Sequence, residues 1–222
     1  VYKRQLMRSL RESATAVRRL LDGERLCETG EYYTFDDVCL MHPPSERVPL
    51  YFGVHGPRSL ALSGELGEGT LLGWFSSPDD VRWARARIEE GRATAGRVDP
   101  HALVVLLVCS IDDEDPAAAR AQLRDWASDF LAAQVGSPQT SATAAGSLLE
   151  AAVRARGSEG DPLPDDVIGE FMAAGSLADV ATYIGRLLDA GADRVVLVPN
   201  PAGQRSLEAM VVQIRRGAGL LR

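Results

Sequence analysis

The 222-residue chain carries 24 Lys and Arg against 31 Asp and Glu, a formal charge of -7, and 45% of it is hydrophobic. That acidic balance, with no Arg cluster on an aromatic platform, argues against nucleic acid and anionic membrane as partners, and the apolar content is enough for a sizeable core. The three cysteines, Cys27, Cys39 and Cys109, lack CxxC spacing and disulfide density, and no apolar run approaches the ~20 residues of a membrane helix, so a cytoplasmic protein is expected.

Val1–Gln5 includes the only lysine, Lys3, and is set aside as a non-native scar. From Leu6 to Leu21, the residues Leu6, Leu10, Ala14, Val17 and Leu21 recur at helical spacing among Arg8, Arg11, Glu12, Arg18 and Arg19, and Gly23 closes the helix. Gly30–Phe35 and Val38–Leu40 are strand-like pieces on either side of an Asp36–Asp37 turn. Four further strands are expected at Leu50–Val54, Thr70–Trp74, Leu103–Ser110 and Arg194–Pro199. Between them the pattern predicts helices from Gly56-Pro57 to Leu66, from Pro78 to Gly91 and from Pro116 to Gln134. Residues 135–166 turn rich in Gly, Ser, Thr, Ala and Pro, which suggests a mobile insertion lying over the strand ends, with a short helix at Ser147–Arg156. Val167–Ala174 is expected as a helix, Ser176 as the N-cap of another that ends at Ala190-Gly191, and Gln204–Arg216 as the terminal helix. Strand and helix in alternation give an α/β fold with a parallel sheet, and periodicity alone leaves an open sheet and part of a barrel both standing.

Three segments carry a resemblance to the luciferase-like monooxygenases: Arg11–Leu40 with its helix, "GE" turn and strand pair, Val48–Trp74 with its strand, Gly-Pro turn, helix and strand, and Ala174–Pro201 with a late helix and last strand. Gly67-Glu68-Gly69 stands where "ADG" is usual, and Arg58 where Lys is common. The resemblance implies an eight-stranded (β/α) barrel of which this chain is the C-terminal half, the last four strands with an insertion segment. It implies an oxidoreductase that uses coenzyme F-420 for hydride transfer, or reduced FMN for monooxygenation, on a small organic substrate, and that is a homo-oligomer at full length. A half barrel by itself is expected to be inactive, its strand edges and inner face being unpartnered. The competing reading is a barrel relative without catalysis that binds a flavin or another subunit; loss of "ADG" suits it.

The turn Gly53, Val54, His55, Gly56, Pro57, Arg58 and Ser59 is the main candidate site. Two glycines allow close backbone approach and a helix starts at once, so first-turn N–H groups and a partial positive charge suit a phosphate. A Gly-Pro pair is also how many strand-to-helix connections turn; the resemblance implies that this one helps hold the cofactor phosphate. Trp74, Phe75, Ser76 and Ser110 follow or end strands on the face where barrel sites are built, and are the candidate pocket lining. His55, His42 and His101 have no partner at a telling spacing, and no catalytic residue is assigned. Asp112–Asp115 lacks the alternation and Gly of a calcium loop and reads as a solvated turn, so no metal is expected. Glu65 reads as structural and Cys109 as a buried packing residue.

Overall fold

In the computed structural model, which describes residues 2–157 and 160–200 together with Val211, the amphipathic stretch at the N-terminus is α1 (Tyr2–Leu21), a helix that takes in most of the five residues set aside from the sequence. Gly23 follows at φ 84, the left-handed backbone that glycine adopts without a steric penalty. The hairpin beyond it is β1 (Leu26–Thr29) paired antiparallel with β2 (Thr34–Val38). Its turn is not at Asp36–Asp37 as the sequence suggests but at Gly30–Tyr33, where Gly30 N–H donates to Tyr33 O at 2.8 Å. The cause is on α1: the Glu12 carboxylate accepts the amides of Glu31, Tyr32 and Tyr33 and fixes the turn there. Asp36 and Asp37 are left inside β2, with Asp37 paired to Arg25 across the hairpin.

The parallel sheet has five strands among the described residues: β3 (Tyr51–Gly53), β4 (Gly69–Leu72), β5 (Ala102–Ile111), β6 (Ala173–Gly175) and β7 (Arg194–Pro199). β3 pairs with β4, and β4 with the first residues of β5; β7 runs along Val104–Cys109, and β6 takes the last three residues of β5. β3 and β7 do not meet, so the barrel is not closed among these residues. The helix expected over Val167–Ala174 is a single turn, α6 (Asp165–Ile168), followed by β6. A helix carried to Ala174 would have left the end of β5 without a ladder; instead Asp112 N–H donates to Gly175 O at 2.8 Å, and Gly175 turns out of the strand at φ 130. The expected helix over Gln204–Arg216 lies outside the described residues.

The two faces of the sheet have different covers. On one, Leu60 of α2 (Pro57–Leu66), Val81 and Ile88 of α3 (Pro78–Thr94), and Val180 and Leu187 of α7 (Leu177–Asp189) bury Leu103, Val105 and Leu107. α2 and α3 touch backbone to backbone, because a Cβ on Gly64 or Gly91 would collide with the carbonyl of Ile88 or Ala61. On the other face, Val108 packs with Leu123 and Leu131 of α4 (Pro116–Ala132), Leu149 of α5 (Ala144–Ala155), Leu163 and Phe171. The 135–166 segment therefore does contribute apolar anchors, Leu149 at 0% and Leu163 at 1% exposed. Thr143 ties it down further: its hydroxyl caps α5 at Gly146 N–H and donates to the buried Asp80 at 2.9 Å.

The N-terminal end of the sheet is closed by saturated polar groups. Glu68, the departure from "ADG", accepts the Leu50 amide at 2.7 Å and pairs with Arg18, Arg47 and Arg97. Burial raises its pKa, but the Leu50 amide, Arg47 and Arg18 outweigh it and hold the carboxyl below its ordinary range. His101, buried, meets Gly67 O through Nδ1 at 3.1 Å and Thr70 Oγ1 through Nε2 at 2.9 Å, and Thr70 meets Ser63 Oγ at 2.7 Å. One consistent assignment has Nδ1–H donating to Gly67 and Nε2 accepting from Thr70, a neutral imidazole. Burial pushes the His101 pKa down. Both groups thus have depressed folded pKa values, so their contribution is present above the unfolded pKa and is lost as pH falls, below about 6.5 for His101 and about 4.3 for Glu68. The melting temperature should fall from pH 7 to pH 5, and fall less in His101→Asn, in which the unfolded chain takes up one proton fewer. An identical slope in both proteins, measured by thermal unfolding across that range, would contradict the assignment.

Candidate functional site

β3 ends at Gly53 and α2 starts at Pro57, so three residues reverse the chain at the C-terminal end of the sheet. Gly56 is the N-cap, at φ -82 and ψ 153. Its N–H donates to Ser59 Oγ at 3.2 Å, and the Ser59 hydroxyl donates back to Gly56 O at 3.0 Å. Ser59 is therefore committed to the turn and offers no free hydroxyl. Pro57 has no N–H, which leaves the amides of Arg58 and Ser59 as first-turn donors with no acceptor inside the helix. Above them there is room: a Cβ on Gly53 would meet nothing within 4 Å, and one on Gly56 only Ser59 Oγ at 3.4 Å. Arg58 is exposed and forms no ion pair with a described residue. Two unaccepted amides at the positive end of α2, with open space at Gly53 and Gly56 and an exposed Arg58 in the same turn, are the donors with which proteins hold a phosphate.

Beside this turn lies a cavity of ≈ 550 Å³. Its floor is Leu106, half-buried midway along β5, and its near wall is His55, whose ring abuts Gly73 so closely that a Cβ on Gly73 would stand 2.8 Å from Cε1. Trp74 and Phe75 form the next wall. Phe75 has φ 68, a conformation that costs a non-glycine residue about 1–3 kcal/mol and persists only where surroundings enforce it. Here the enforcement is aromatic: Phe75 stacks on Phe130 with ring centroids 6.5 Å apart and lies 6.2 Å from Trp126. The roof is Gln134, in the turn that follows α4, and Ser137–Thr140, near the start of the 135–166 segment. Ser137–Thr140 of that segment thus share the cavity with Gly73, Trp74 and Phe75, which follow β4.

The candidate residues separate on this geometry. His55, Trp74 and Phe75 line the cavity, and the Gly53–Ser59 turn adjoins it through His55. Ser76 and Ser110 do not line it: Ser76 is buried with its hydroxyl donating to Gly73 O at 3.0 Å, and Ser110 faces Ala174 across the β5–β6 ladder. The roof residues Gln139 and Thr140 carried no individual signal in the sequence beyond their place after a strand and its helix. Asp112–Asp115 holds backbone: Asp112 accepts from Glu114 and Asp115, Asp113 from Leu177, and Asp115 caps Ala118. No cluster of metal-holding side chains occurs among the described residues. Cys109 is buried in β5, its thiol pushed up to about 12 by desolvation.

The model of the luciferase-like monooxygenase family matches residues 3–194. The chain belongs to the luciferase-like monooxygenases. It is 31% identical to 5,10-methylenetetrahydromethanopterin reductase of Archaeoglobus fulgidus over 204 residues, 86% of this chain and 59% of the relative. It is 30% identical over 128 residues to an F-420-dependent glucose-6-phosphate dehydrogenase of Microbacterium testaceum, 56% of this chain and 38% of that enzyme. Among solved structures, an F-420-dependent secondary alcohol dehydrogenase in complex with an F-420–acetone adduct superposes at TM-score 0.71 and 21% identity, covering 95% of this chain and 60% of the other. The α/β fold with its parallel sheet is that of the luciferase-like barrels. Relative to its full-length curated relatives, the chain spans 59% to 64% of their length.

The strained wall residue gives a direct test. Phe75→Ala and Phe75→Gly remove the same ring, but only glycine accepts φ 68 without penalty. The glycine variant should be the more stable by about 1 kcal/mol, a reversal of the usual Ala-over-Gly order. Denaturant unfolding of the pair decides it; an alanine variant as stable or more so means the backbone there is not strained.

Proposed function

We propose that the chain supplies the phosphate-binding turn and the substrate cavity of an oxidoreductase that uses coenzyme F-420 to move a hydride to or from a small organic molecule. The observation that carries this reading is the turn: open space over Gly53 and Gly56, two unaccepted amides at the start of α2, and Arg58 uncommitted beside them. F-420 is favoured over FMN by the relatives: the dehydrogenase that is 30% identical bears F-420 in its name, as does a hydroxymycolic acid dehydrogenase of Mycobacterium tuberculosis, 33% identical over 113 residues. A monooxygenase crystallised with FMN resembles this chain at 13% identity and TM-score 0.52, a likeness of fold alone.

Hydride chemistry is supplied by the deazaflavin itself when bound, which is why the cavity needs no Ser-His-Asp or paired-carboxylate arrangement. The part left to this chain is binding and exclusion. Arg58 and the Arg58 and Ser59 amides hold an anionic group, His55 sets the edge between turn and cavity, and Trp74 and Phe75 keep one wall dry. Turnover in this reading belongs to a closed barrel, because the open sheet leaves Tyr51 and Val196 exposed at 43% and 45%. Binding is assigned to the turn, and this chain alone is expected to be inactive.

Gly56→Val tests the turn. Its backbone, at φ -82 and ψ 153, suits a β-branched residue, and the added Cβ meets only Ser59 Oγ, so the variant should fold with an unchanged melting temperature. Titrated with F-420 and followed by the cofactor's absorbance, it should bind at least tenfold more weakly than the parent, since the side chain fills the space the ligand needs. Equal affinity in the folded variant, or binding of FMN but not F-420 by the parent, goes against the reading.

A further inference from the structure

The charge of the cavity lining separates substrate classes that the relatives' names leave together. No Lys, Arg, Asp or Glu lines the cavity among the described residues; its polar side chains are one imidazole, one indole, two carboxamides and two hydroxyls. Most of these are already engaged. Thr140 Oγ1 donates to Gln134 O at 2.8 Å and lies 3.0 Å from Ser137 Oγ, and that same Ser137 Oγ accepts the Thr140 amide at 3.2 Å. Gln134 Nε2 reaches Phe130 O at 3.4 Å.

Gln139 differs. It is 8% exposed, its Nε2 reaches only Ser76 Oγ at 3.5 Å, the outer edge of hydrogen-bonding distance, and its Oε1 accepts from no described residue. A largely desolvated carboxamide with an open acceptor and a loosely held donor, set in the roof over an aromatic and aliphatic wall, is an incomplete hydrogen-bonding site. The His55 ring likewise makes no hydrogen bond with a described residue. An anion here would find no cation in the lining among the described residues, whereas a neutral hydroxyl or carbonyl on an apolar frame would complete Gln139 and lay its frame on Trp74, Phe75 and Leu106.

We propose that Gln139 is the specificity-determining residue of this cavity and that it selects an uncharged alcohol or ketone over a carboxylated or phosphorylated substrate. The proposal rests on the functional reading above in taking the cavity as the substrate site, and it predicts that a phosphosugar is not the substrate.

The test uses the full chain and small probes, read by saturation-transfer NMR so that neither cofactor nor turnover is needed. Cyclohexanol and cyclohexanone should bind to the parent at least tenfold more tightly than cyclohexanecarboxylate or glucose 6-phosphate. Gln139→Met, close in shape and without the amide, should lose that advantage by about tenfold. Gln139→Lys should invert it in favour of the carboxylate, which a merely structural role for Gln139 would not do. Far-ultraviolet circular dichroism and melting temperature establish that each variant is folded; if Gln139→Met does not fold, the inversion in Gln139→Lys decides alone. Equal binding of the carboxylate by the parent, or no change of preference in the folded variants, overturns the proposal. An F-420 titration of the parent is run separately: neutral-probe selectivity with no F-420 binding would leave Gln139 standing and remove the cofactor reading, and the reverse result would do the opposite.

Discussion

The ladder along β5 is the constraint on which the rest of the molecule depends. Its ten residues, Ala102–Ile111, bond to β4 at the start, to β7 through the middle and to β6 at the end. Three connections of very different length are thereby brought to one strand, and both hydrophobic cores are assembled against it, one on the Leu103, Val105 and Leu107 side and the other on Val108. A strand covered on both faces has to be apolar throughout, and Leu103–Cys109 is an unbroken apolar run. Leu106, in the middle of that run, is the half-buried exception, and it is the floor of the cavity.

Polar chemistry is divided between the two ends of the sheet. At the N-terminal end Glu68 is met by three arginines and an amide, His101 by Thr70 and Gly67, and Arg85 by Gly191 O and Asp193, whose carboxylate also accepts Leu103 N–H. At the C-terminal end the first-turn amides of α2, Arg58, His55 and Gln139 remain unanswered within the described chain. The same contrast explains why Gly67-Glu68-Gly69 can depart from the family pattern without touching the site: Glu68 lies at the saturated end.

How much of this was legible in the sequence depended on whether the signal was local. Pro57, Pro78 and Pro116 each open a helix where the sequence placed one, since proline at the first helical turn is a local rule. Leu103–Ser110 announced a buried strand by composition, whereas the strand expected to be buried at Leu50–Val54 is Tyr51–Gly53, an edge strand of which only Phe52 is buried. The errors came where a distant partner decided the outcome. The hairpin turn sits at Gly30–Tyr33 because Glu12, on another element, takes its amides; Ala173–Gly175 is a strand because the end of β5 offers a ladder that helical periodicity cannot reveal. For the candidate site, the place of the Gly53–Ser59 turn and of Trp74-Phe75 at strand ends was readable from glycine, proline and aromatic positions, and His55, Trp74 and Phe75 line the cavity there. Gln139 was not, because its importance comes from what it faces across the cavity.

The roof has a consequence for how such a site can diversify. Gln134–Thr140 is braced through Thr143 to Asp80 of α3 and through Leu149 to the core beneath α4, whereas the Gly53–Ser59 turn, proposed above to hold a phosphate, is built wholly from β3 and α2. The two halves of the pocket therefore answer to different struts. Roof side chains that point only into the cavity can be exchanged while Thr143 and Leu149 keep the scaffold in place, and the Gly53–Ser59 turn does not register the change. A fold arranged this way separates a turn fixed by the sheet from a surface opposite it that a single short segment supplies, so side chains at a few positions of that segment can change without disturbing the turn.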